Sequence, residues 1–457
     1  MRNLLAVLII SIALSIALFL VSKRTFFFTG ALGDPANLVV DLGATYEENA
    51  GNWRNLAQGG EEKGEMLVSV LEKIKPLRPE YIRIDHIYDF YDVVSKDPSG
   101  NINFNWSKLD LTLNDIQAVG ATPFISISYT PPAISSGDII DLPASWQDWE
   151  VVVQKTIEHI SRKQGGASNV YYEVWNEPDL FGKFKIGGEK NYLDLYSHSA
   201  IGASRAKNVQ PFKFGGPATT ALYKNWFDSF FKFASKNNLR VDFYSWHRYS
   251  KNLDDFETDI LNAQTWVIPF AKYKNVEFVF SEMGPNSEND KVYDNFFGAI
   301  HAIATSVVLE NDARRGFLFE IKDGPGPEKY WGRWGLLTHE KWGAPEEKPR
   351  YKALQFLNRM VGGRLNVAGE GSWVKAFGKK KDKTSRILII NYDPNGKHFE
   401  TIPITFLNLP DQTFNYRRID FSGKIKELEI ATDSATWVAS ELFEPNSAAI
   451  LEIVETK

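Results

Sequence analysis

Two glutamates, Glu177 and Glu282, each follow an apolar stretch typical of a buried β-strand, and each has a proline within the next three residues. The first stretch, residues 171–175, runs into Asn176 and Glu177, and the second covers residues 277–281. Either glutamate alone could be a solvated residue at the rim of the fold or a partner in an ion pair. A matched pair can cleave a glycosidic bond, if one carboxyl protonates the departing oxygen and the other stands across the anomeric carbon.

The neighbours of the two glutamates favour different roles for them. Asn176 can hydrogen-bond the 2-hydroxyl of a sugar as positive charge develops on the ring, which favours Glu177 as general acid/base and Glu282 as nucleophile. One carboxyl must hold its proton near neutral pH, and a neighbouring carboxylate with apolar walls would raise its pKa accordingly. We therefore expect the two side chains to face each other across one cavity.

The elements that position them alternate between strand and helix along the chain. Eight such strands predict a (β/α)8 TIM barrel over residues 31–362, with catalytic groups at the carboxyl ends of its strands. A doubly wound open sheet is the alternative, but it would show a glycine-rich phosphate turn after its first strand, which is absent. The predicted strands cover residues 37–42, 81–85, 123–129, 171–175, 212–217, 241–247, 277–282 and 317–322.

The pattern changes after Gly362-Gly363, where helical spacing gives way to short strands separated by turns. This change predicts an antiparallel β-sandwich over residues 363–457. Its predicted strands cover residues 385–392, 401–407, 414–420, 425–430 and 448–454.

Residues 1–30 form a separate segment with an uncharged apolar run from Leu4 to Val21. This run is close to the ~20 residues that a bilayer-spanning helix needs. Lys23-Arg24 follows instead of a small-residue cleavage site, which favours an uncleaved transmembrane helix over a cleaved signal peptide. Either form predicts an extracytoplasmic catalytic domain, anchored in the membrane or secreted.

The composition argues against several classes of partner and cofactor. A net charge of −5 on a chain of 457 residues argues against nucleic acid as a partner. The absence of cysteine removes disulfides and thiolate metal sites, and the histidines show no metal-ligand spacing. We therefore expect a carbohydrate substrate, no metal and no cofactor, while the oligomeric state stays open.

Several segments resemble glycoside hydrolase family 39, in the large clan of retaining barrel enzymes. The clearest is Tyr172 to Leu180, which is similar to the acid/base segment, and Glu282 falls where the nucleophile would lie. The resemblance implies double displacement with net retention and no cofactor; members act as β-xylosidases, α-L-iduronidases or exopolysaccharide glycosidases. Three further segments, residues 215–218, 241–249 and 348–354, match the family in the same order.

The resemblance also implies substrate-binding residues. Arg83 should lie near the nucleophile, and His247 and Tyr249 should line the subsite of the cleaved sugar. The family's xylosidases have His-Gly where this chain has Asp85-His86, so these two become candidate specificity residues.

Trp331 and Trp334, in the loop after the eighth strand, suit either sugar stacking or loop anchoring. We expect a retaining glycosidase that acts on a cell-surface or extracellular polysaccharide or oligosaccharide. A membrane-tethered glycan-binding protein without turnover is a competing hypothesis, and a transglycosylase would use the same residues.

Overall fold

The computed structural model describes residues 33–46, 51–60, 62–312, 314–409 and 413–456. These residues form two compact units, one within Asn49–Met360 and one that combines residues 33–46 with those after Met360. The predicted N-terminal transmembrane helix lies outside the described residues. Among the helices that the structure does describe, none combines the length and hydropathy that a bilayer span requires.

The first unit contains a closed barrel of eight parallel strands, in the order β2-β3-β6-β7-β8-β9-β10-β11, so the predicted (β/α)8 fold is confirmed. The strands up to its end are β1 (Leu38–Tyr46), β2 (Asn55–Gln58), β3 (Tyr81–Ile84), β4 (Val94–Lys96), β5 (Ile102–Phe104), β6 (Thr122–Ile127), β7 (Val170–Val174), β8 (Phe212–Thr219), β9 (Phe243–Tyr249), β10 (Glu277–Gly284) and β11 (Arg315–Phe319). The helices are α1 (Leu71–Ile74), α2 (Ser107–Ala118), α3 (Trp146–Ile160), α4 (Tyr192–Arg205), α5 (Lys224–Lys236), α6 (Asp254–Val267), α7 (Phe296–Asn311) and α8 (Pro349–Leu357).

Large side chains from the barrel strands pack together as one hydrophobic cluster. Aromatic residues dominate it, because strands buried on both faces select bulky apolar groups. A barrel filled in this way leaves room for chemistry only at the ends of its strands. The cluster comprises Ala57, Tyr81, Phe124, Tyr171, Phe243, Val279, Phe317 and Phe319.

The second unit is a single nine-stranded sheet in the order β17-β16-β19-β14-β13-β12-β1-β15-β18. Its strands are β1 with β12 (Gly363–Ala368), β13 (Val374–Lys381), β14 (Thr384–Asn391), β15 (Glu400–Leu407), β16 (Thr413–Asp420), β17 (Ile425–Ala431), β18 (Trp437–Phe443) and β19 (Ser447–Glu455). Trp437 packs edge-on against Phe414 and Tyr416 at the other end of the sheet, with ring centroids 5.4 and 5.0 Å away. The sheet therefore curls over one core. The predicted antiparallel sandwich needs correction, because β1 and β15 pair in parallel and all nine strands share one sheet.

The prediction that residues 37–42 form the first barrel strand is wrong. They belong to β1, which pairs with β12 and β15 in the second unit. The first barrel strand is β2, a short segment with buried polar residues at both ends. Asn55 accepts a hydrogen bond from Arg315 at 2.9 Å, and Gln58 donates one to Glu320 at 2.9 Å. The sequence of this polar segment has no strand pattern, because its strand conformation depends on partners far along the chain.

Candidate active site

Glu177 and Glu282 meet at the carboxyl end of the barrel strands. Glu177 lies just beyond the last residue of β7, and Glu282 lies within β10 beside His247 of β9. The Nδ1 atom of His247 is 2.7 Å from Glu177 Oε1 and 3.4 Å from Glu282 Oε2. A carboxylate oxygen of each glutamate lies within 4.8 Å of one from the other. The fold thus brings together the two acids that the strand ends predict.

The turn after β7 gives Glu177 its direction. Trp175 and Glu177 have φ angles of 76° and 45°, in the left-handed region that residues other than glycine rarely adopt. The Trp175 ring is fully buried, and its Nε1 donates a hydrogen bond to the Phe181 carbonyl at 2.8 Å. The Glu177 N–H donates to the Ala218 carbonyl at 2.9 Å. A buried ring and these hydrogen bonds hold a strained turn that directs the carboxylate into a cavity.

Arg83 on β3 is fully buried and connects the groups around the nucleophile candidate. Its Nη1 donates to Glu282 Oε1 at 2.8 Å, and its Nε donates to Glu173 Oε2 at 2.8 Å. Its Nη2 donates to Asn176 Oδ1 at 2.9 Å. Because the amide oxygen of Asn176 is taken in this way, its Nδ2, 3.5 Å from the Tyr129 hydroxyl, remains to serve a ligand.

We expect Arg83→Met to lower the free energy of unfolding by ~3–5 kcal/mol, because Glu173 would stay buried without its cation and Glu282 would keep only His247 as a counter-charge. Urea denaturation followed by circular dichroism measures this loss. Lys224→Met is the control: it breaks an exposed ion pair with Asp228, so the change should stay within ~0.5 kcal/mol. A loss as small for Arg83→Met as for the control would contradict this account of the network.

Burial and the neighbouring charges shift two pKa values in the site. Burial raises the pKa of Glu282 above its usual value, although the charges of His247 and Arg83 and a hydrogen bond from Tyr249 partly oppose this. Burial alone would lower the pKa of His247, but the charge of Glu282 and the hydrogen bond and charge of Glu177 outweigh it and raise that pKa overall. Glu282 and His247 therefore keep their protons to higher pH than free side chains would.

A cavity of about 450 Å³ opens at this site, a size typical of small-molecule sites. Arg83 and His247 are not part of its lining; they are buried and act through the carboxylates that they contact. The predicted site residues that line the cavity are Asp85, His86, Asn176, Glu177, Tyr249, Glu282 and Trp334.

Asp85 and His86, at the point where the sequence departs from the family's xylosidases, both face this cavity. Asp85 is 3% exposed, and its Oδ1 has no hydrogen-bond partner within the described part of the chain. Burial raises the pKa of this carboxyl. His86 stacks on Phe90 and packs at a tilt of 41° against Tyr129, each with a centroid distance of 4.2 Å. Asp85 therefore has a buried carboxyl oxygen at the cavity that is not bound by a described protein group.

The two candidate stacking tryptophans differ in position. Trp334 lines the cavity and packs edge-on against Phe319, with ring centroids 5.8 Å apart. Trp331 does not line it, and its ring lies so close to Gly326 that a Cβ there would be 1.9 Å from the indole. Trp331 therefore fits the other role that its sequence position suggested, which is to anchor its loop.

Sequence reasoning missed other residues of the cavity. Tyr129 ends the third predicted strand just before two prolines, which is the same signal that identified Glu177, and this signal could have found it. Four apolar residues from two loops had no such signal, because loop packing decides whether they reach the site. They are Ile139, Ile140, Leu180 and Phe181.

Two groups of potential metal ligands occur among the described residues, namely Glu177 with His247 and Glu282, and Glu62 with His339 and Glu340. Arg83 contacts Glu282 in the first group at 2.8 Å. Lys322 lies 2.5 Å from Glu62 and 3.0 Å from Glu340 in the second. A protein cation already balances the carboxylates in each group, so neither set of side chains requires a metal ion for charge compensation.

Comparison with known sequences gives one family, and its relatives include two distant β-xylosidases. The model of glycosyl hydrolases family 39 matches residues 58–295. A β-xylosidase from Caldicellulosiruptor saccharolyticus is 25% identical over 320 residues, which is 64% of each chain. A β-xylosidase from Geobacillus stearothermophilus is 27% identical over 158 residues, 32% of this chain and 31% of the relative. The chain thus aligns with less than two thirds of the length of either relative.

Solved structures show the same fold. The crystal structure of the GH39 enzyme from Xanthomonas axonopodis pv. citri superimposes with a TM-score of 0.75 at 17% identity, and covers 94% of this chain and 99% of its own. A monomeric β-xylosidase from Caulobacter crescentus CB15 superimposes with a TM-score of 0.73 at 18% identity, over 92% of this chain and 100% of its own.

Proposed function

Because the chain belongs to glycosyl hydrolases family 39, we propose that it cleaves O-glycosidic bonds with net retention of configuration. Glu282 is the nucleophile and Glu177 the general acid/base. The observation that carries this proposal is the separation of the two carboxylates, whose oxygens lie within 4.8 Å at the mouth of the barrel. Retaining enzymes hold their carboxyl groups ~5–5.5 Å apart, whereas inverting enzymes leave ~6.5–9.5 Å for a water molecule.

The hydrogen bonds divide the roles. Glu282 accepts from the Arg83 guanidinium and the Tyr249 hydroxyl, both at 2.8 Å, and these donors stabilise its charged form. Glu177 contacts only the imidazole of His247 through its side chain, among the hydrogen bonds of the described residues. Its carboxyl is 14% exposed and reaches the cavity, where a leaving group would depart.

In the first step Glu177 gives its proton to the glycosidic oxygen while a Glu282 oxygen attacks the anomeric carbon. The bond to the leaving group breaks, and an ester between the sugar and Glu282 forms. In the second step the Glu177 carboxylate takes a proton from water, whose oxygen attacks the same carbon, and the ester breaks. Asn176 Nδ2 is placed to bind the 2-hydroxyl as charge develops on the ring.

The polar part of the cavity holds the sugar. Asp85 offers its unpartnered oxygen to a hydroxyl, and Trp334 offers an apolar ring face. The similar proteins from Caldicellulosiruptor and Geobacillus are β-xylosidases, which makes a β-xyloside the first substrate to test. We further propose that the sugar belongs to a cell-surface or extracellular saccharide. That location rests on the apolar run from Leu4 to Val21, which lies outside the described residues.

A panel of 4-nitrophenyl glycosides, beginning with the β-D-xyloside, tests this proposal. We expect turnover of at least one β-glycoside, with the β-anomer as the first product in the proton NMR spectrum. The α-anomer as first product would contradict retention. Saccharide binding without turnover would instead indicate a glycan-binding protein. Transfer to an added sugar acceptor that outpaces hydrolysis would indicate a transglycosylase.

Removal of the Tyr249 hydroxyl tests the charge state of the nucleophile. Because this hydroxyl stabilises the charged form of Glu282, Tyr249→Phe raises the pKa of that carboxyl further. The acid limb of the kcat/KM profile, which reports ionisation of the free nucleophile, then moves to higher pH. A hydrogen bond to a charged group is worth ~1.5–3 kcal/mol, so kcat/KM falls roughly 10- to 100-fold.

The matched control for Tyr249→Phe is Tyr273→Phe. Tyr273 is also buried, and its hydroxyl donates to the Leu239 carbonyl at 2.8 Å, away from the carboxylates. Its substitution should leave the pH profile in place. If Tyr249→Phe moved the acid limb to lower pH, or left it where it is in the control, Glu282 would not be the group that this limb reports.

A further inference from the structure

One side of the cavity, next to Glu177, is apolar. It consists of four side chains, Ile139, Ile140, Leu180 and Phe181, which we call the apolar wall. Leu180 and Phe181 are 54% and 44% exposed, so two large hydrophobic groups face open space in the described structure. Scattered exposed hydrophobic residues are common, but two of them beside two partly buried isoleucines at the mouth of a ligand cavity mark a binding surface.

The apolar wall is fixed to the turn that carries the acid. The N–H groups of Leu180 and Phe181 both donate to the Glu177 carbonyl, at 2.9 and 2.7 Å. The Phe181 carbonyl accepts from the buried indole of Trp175 at 2.8 Å. Leu180 and Phe181 therefore keep a constant position relative to the carboxyl that acts on the leaving group.

The other half of the apolar wall is held against the first. The backbone of Gly182 approaches the loop so closely that a Cβ there would lie 3.0 Å from the Ile140 carbonyl, and its φ of +99° is one that glycine adopts readily. The Ile139 carbonyl accepts from the Thr130 N–H at 2.9 Å, which ties that loop to the end of the third barrel strand. The four side chains thus form one surface with defined backbone contacts.

We propose that this enzyme takes glycosides whose leaving group is apolar, an alkyl or aryl alcohol, and that the apolar wall binds this group. The inference rests on the proposed function, since it is Glu177 that protonates the glycosidic oxygen. The atoms beyond that oxygen must therefore lie beside Leu180 and Phe181. A second sugar would place its hydroxyls against side chains that cannot hydrogen-bond, which is unfavourable.

The polar groups of the cavity lie with the nucleophile or with the sugar it attacks. Tyr249 donates a hydrogen bond to Glu282, Asn176 approaches it through Arg83, and the charge of Asp85 acts on the same guanidinium. Of the other polar lining residues, Ser287 and Glu288 follow the strand of Glu282 and not that of Glu177. Tyr129 packs edge-on against Phe181, but its hydroxyl accepts a hydrogen bond from Asn176 at 3.5 Å, and His86 packs against the Tyr129 ring. The saccharide of the proposed function would then be one that is joined at its reducing end to an apolar group.

The rates for a series of leaving groups of similar acidity test this inference. The probes are the methyl, butyl, hexyl, octyl and benzyl β-glycosides of the sugar whose 4-nitrophenyl glycoside is hydrolysed fastest, together with the β-1,4 disaccharide of that sugar. Partial burial of the chain predicts that kcat/KM rises roughly twofold per methylene, or about 100-fold from methyl to octyl. A benzyl glycoside faster than the hexyl glycoside would identify an aromatic leaving group, and the reverse an alkyl one.

Leu180→Gln should reduce the octyl-to-methyl ratio of kcat/KM about tenfold, because it replaces exposed apolar surface by an amide of similar size. Leu261→Gln is the matched control, since Leu261 is 63% exposed on α6 and is not part of the cavity lining, and it should leave the ratio unchanged. A flat alkyl series, or a disaccharide hydrolysed faster than the octyl glycoside, would overturn this inference alone. Loss of 4-nitrophenyl glycoside turnover across the panel would overturn the proposed function with it.

Discussion

Glu282→Ala is expected to lower kcat for a 4-nitrophenyl glycoside on the order of 10⁵-fold, the largest effect that the site predicts. Without the Glu282 oxygen no ester can form, and Glu177 alone can only assist the departure of the leaving group. Such a loss corresponds to about 7 kcal/mol of transition-state stabilisation. Initial rates measure it, and the wild-type enzyme should be labelled at Glu282 by a 2-deoxy-2-fluoro glycoside, as intact and peptide mass spectra would show.

Azide separates the loss of the nucleophile from the loss of the fold. In Glu282→Ala the small anion can enter the space of the missing carboxylate, so we expect partial recovery of rate and a glycosyl azide of inverted anomeric configuration. Glu282→Gln keeps the side-chain volume beside Arg83, should be equally inactive, and should stay unresponsive because the space is filled. A glycosyl azide of retained configuration from Glu282→Ala would assign Glu282 the acid/base role and so contradict the mechanism.

The barrel could be predicted because its signals are local. Strands β3 and β6 to β11 are short apolar segments, and segments with helical spacing of apolar residues separate them. This alternation is what predicted a barrel of eight strands. The exception is β2, whose buried Asn55 and Gln58 depend on Arg315 and Glu320 at the other end of the barrel sequence. Residues 37–42 carry the stronger strand pattern, yet they pair in the second unit. Which sheet such a strand joins is a question of tertiary pairing, and periodicity alone does not answer it.

The candidate site was predictable to the extent that its residues end strands. Glu177 and Glu282 come at or just after the ends of predicted apolar strands, and a parallel barrel gathers strand ends at one face. The prediction of Tyr249 came from the family resemblance. The position of Arg83 beside Glu282 came from a family resemblance, and the structure shows why it suits that place: one guanidinium serves three buried acceptors.

Loop residues could not be predicted in the same way. Leu180 and Phe181 follow Glu177 closely, yet their role depends on contact with a loop some forty residues earlier in the chain. That contact requires the close approach at Gly182, which no local pattern indicates. Trp331 and Trp334 show the same limit. They are similar residues in one loop, yet only Trp334 reaches the cavity.

Substitution of the acid/base should give an effect that depends on the leaving group, and this dependence is the sharpest test of the two roles. For a methyl glycoside, whose alcohol needs a proton to depart, we expect Glu177→Ala to lower kcat/KM by ~10³–10⁴-fold. For a 2,4-dinitrophenyl glycoside, whose phenolate leaves without help, the first step needs no acid and kcat/KM should fall less than about tenfold. Steady-state rates for both substrates measure the difference.

The second step still lacks its base in Glu177→Ala, so the sugar ester on Glu282 should accumulate. With the dinitrophenyl substrate this predicts a burst of dinitrophenolate, followed by a slow steady state in which kcat and KM both fall. Added azide should speed that steady state and give a glycosyl azide of retained configuration. Glu72→Gln, on an exposed side chain of α1, is the control and should show wild-type rates. An equal loss for both substrates, without a burst, would mean that Glu177 supports the nucleophile or the fold and transfers no proton.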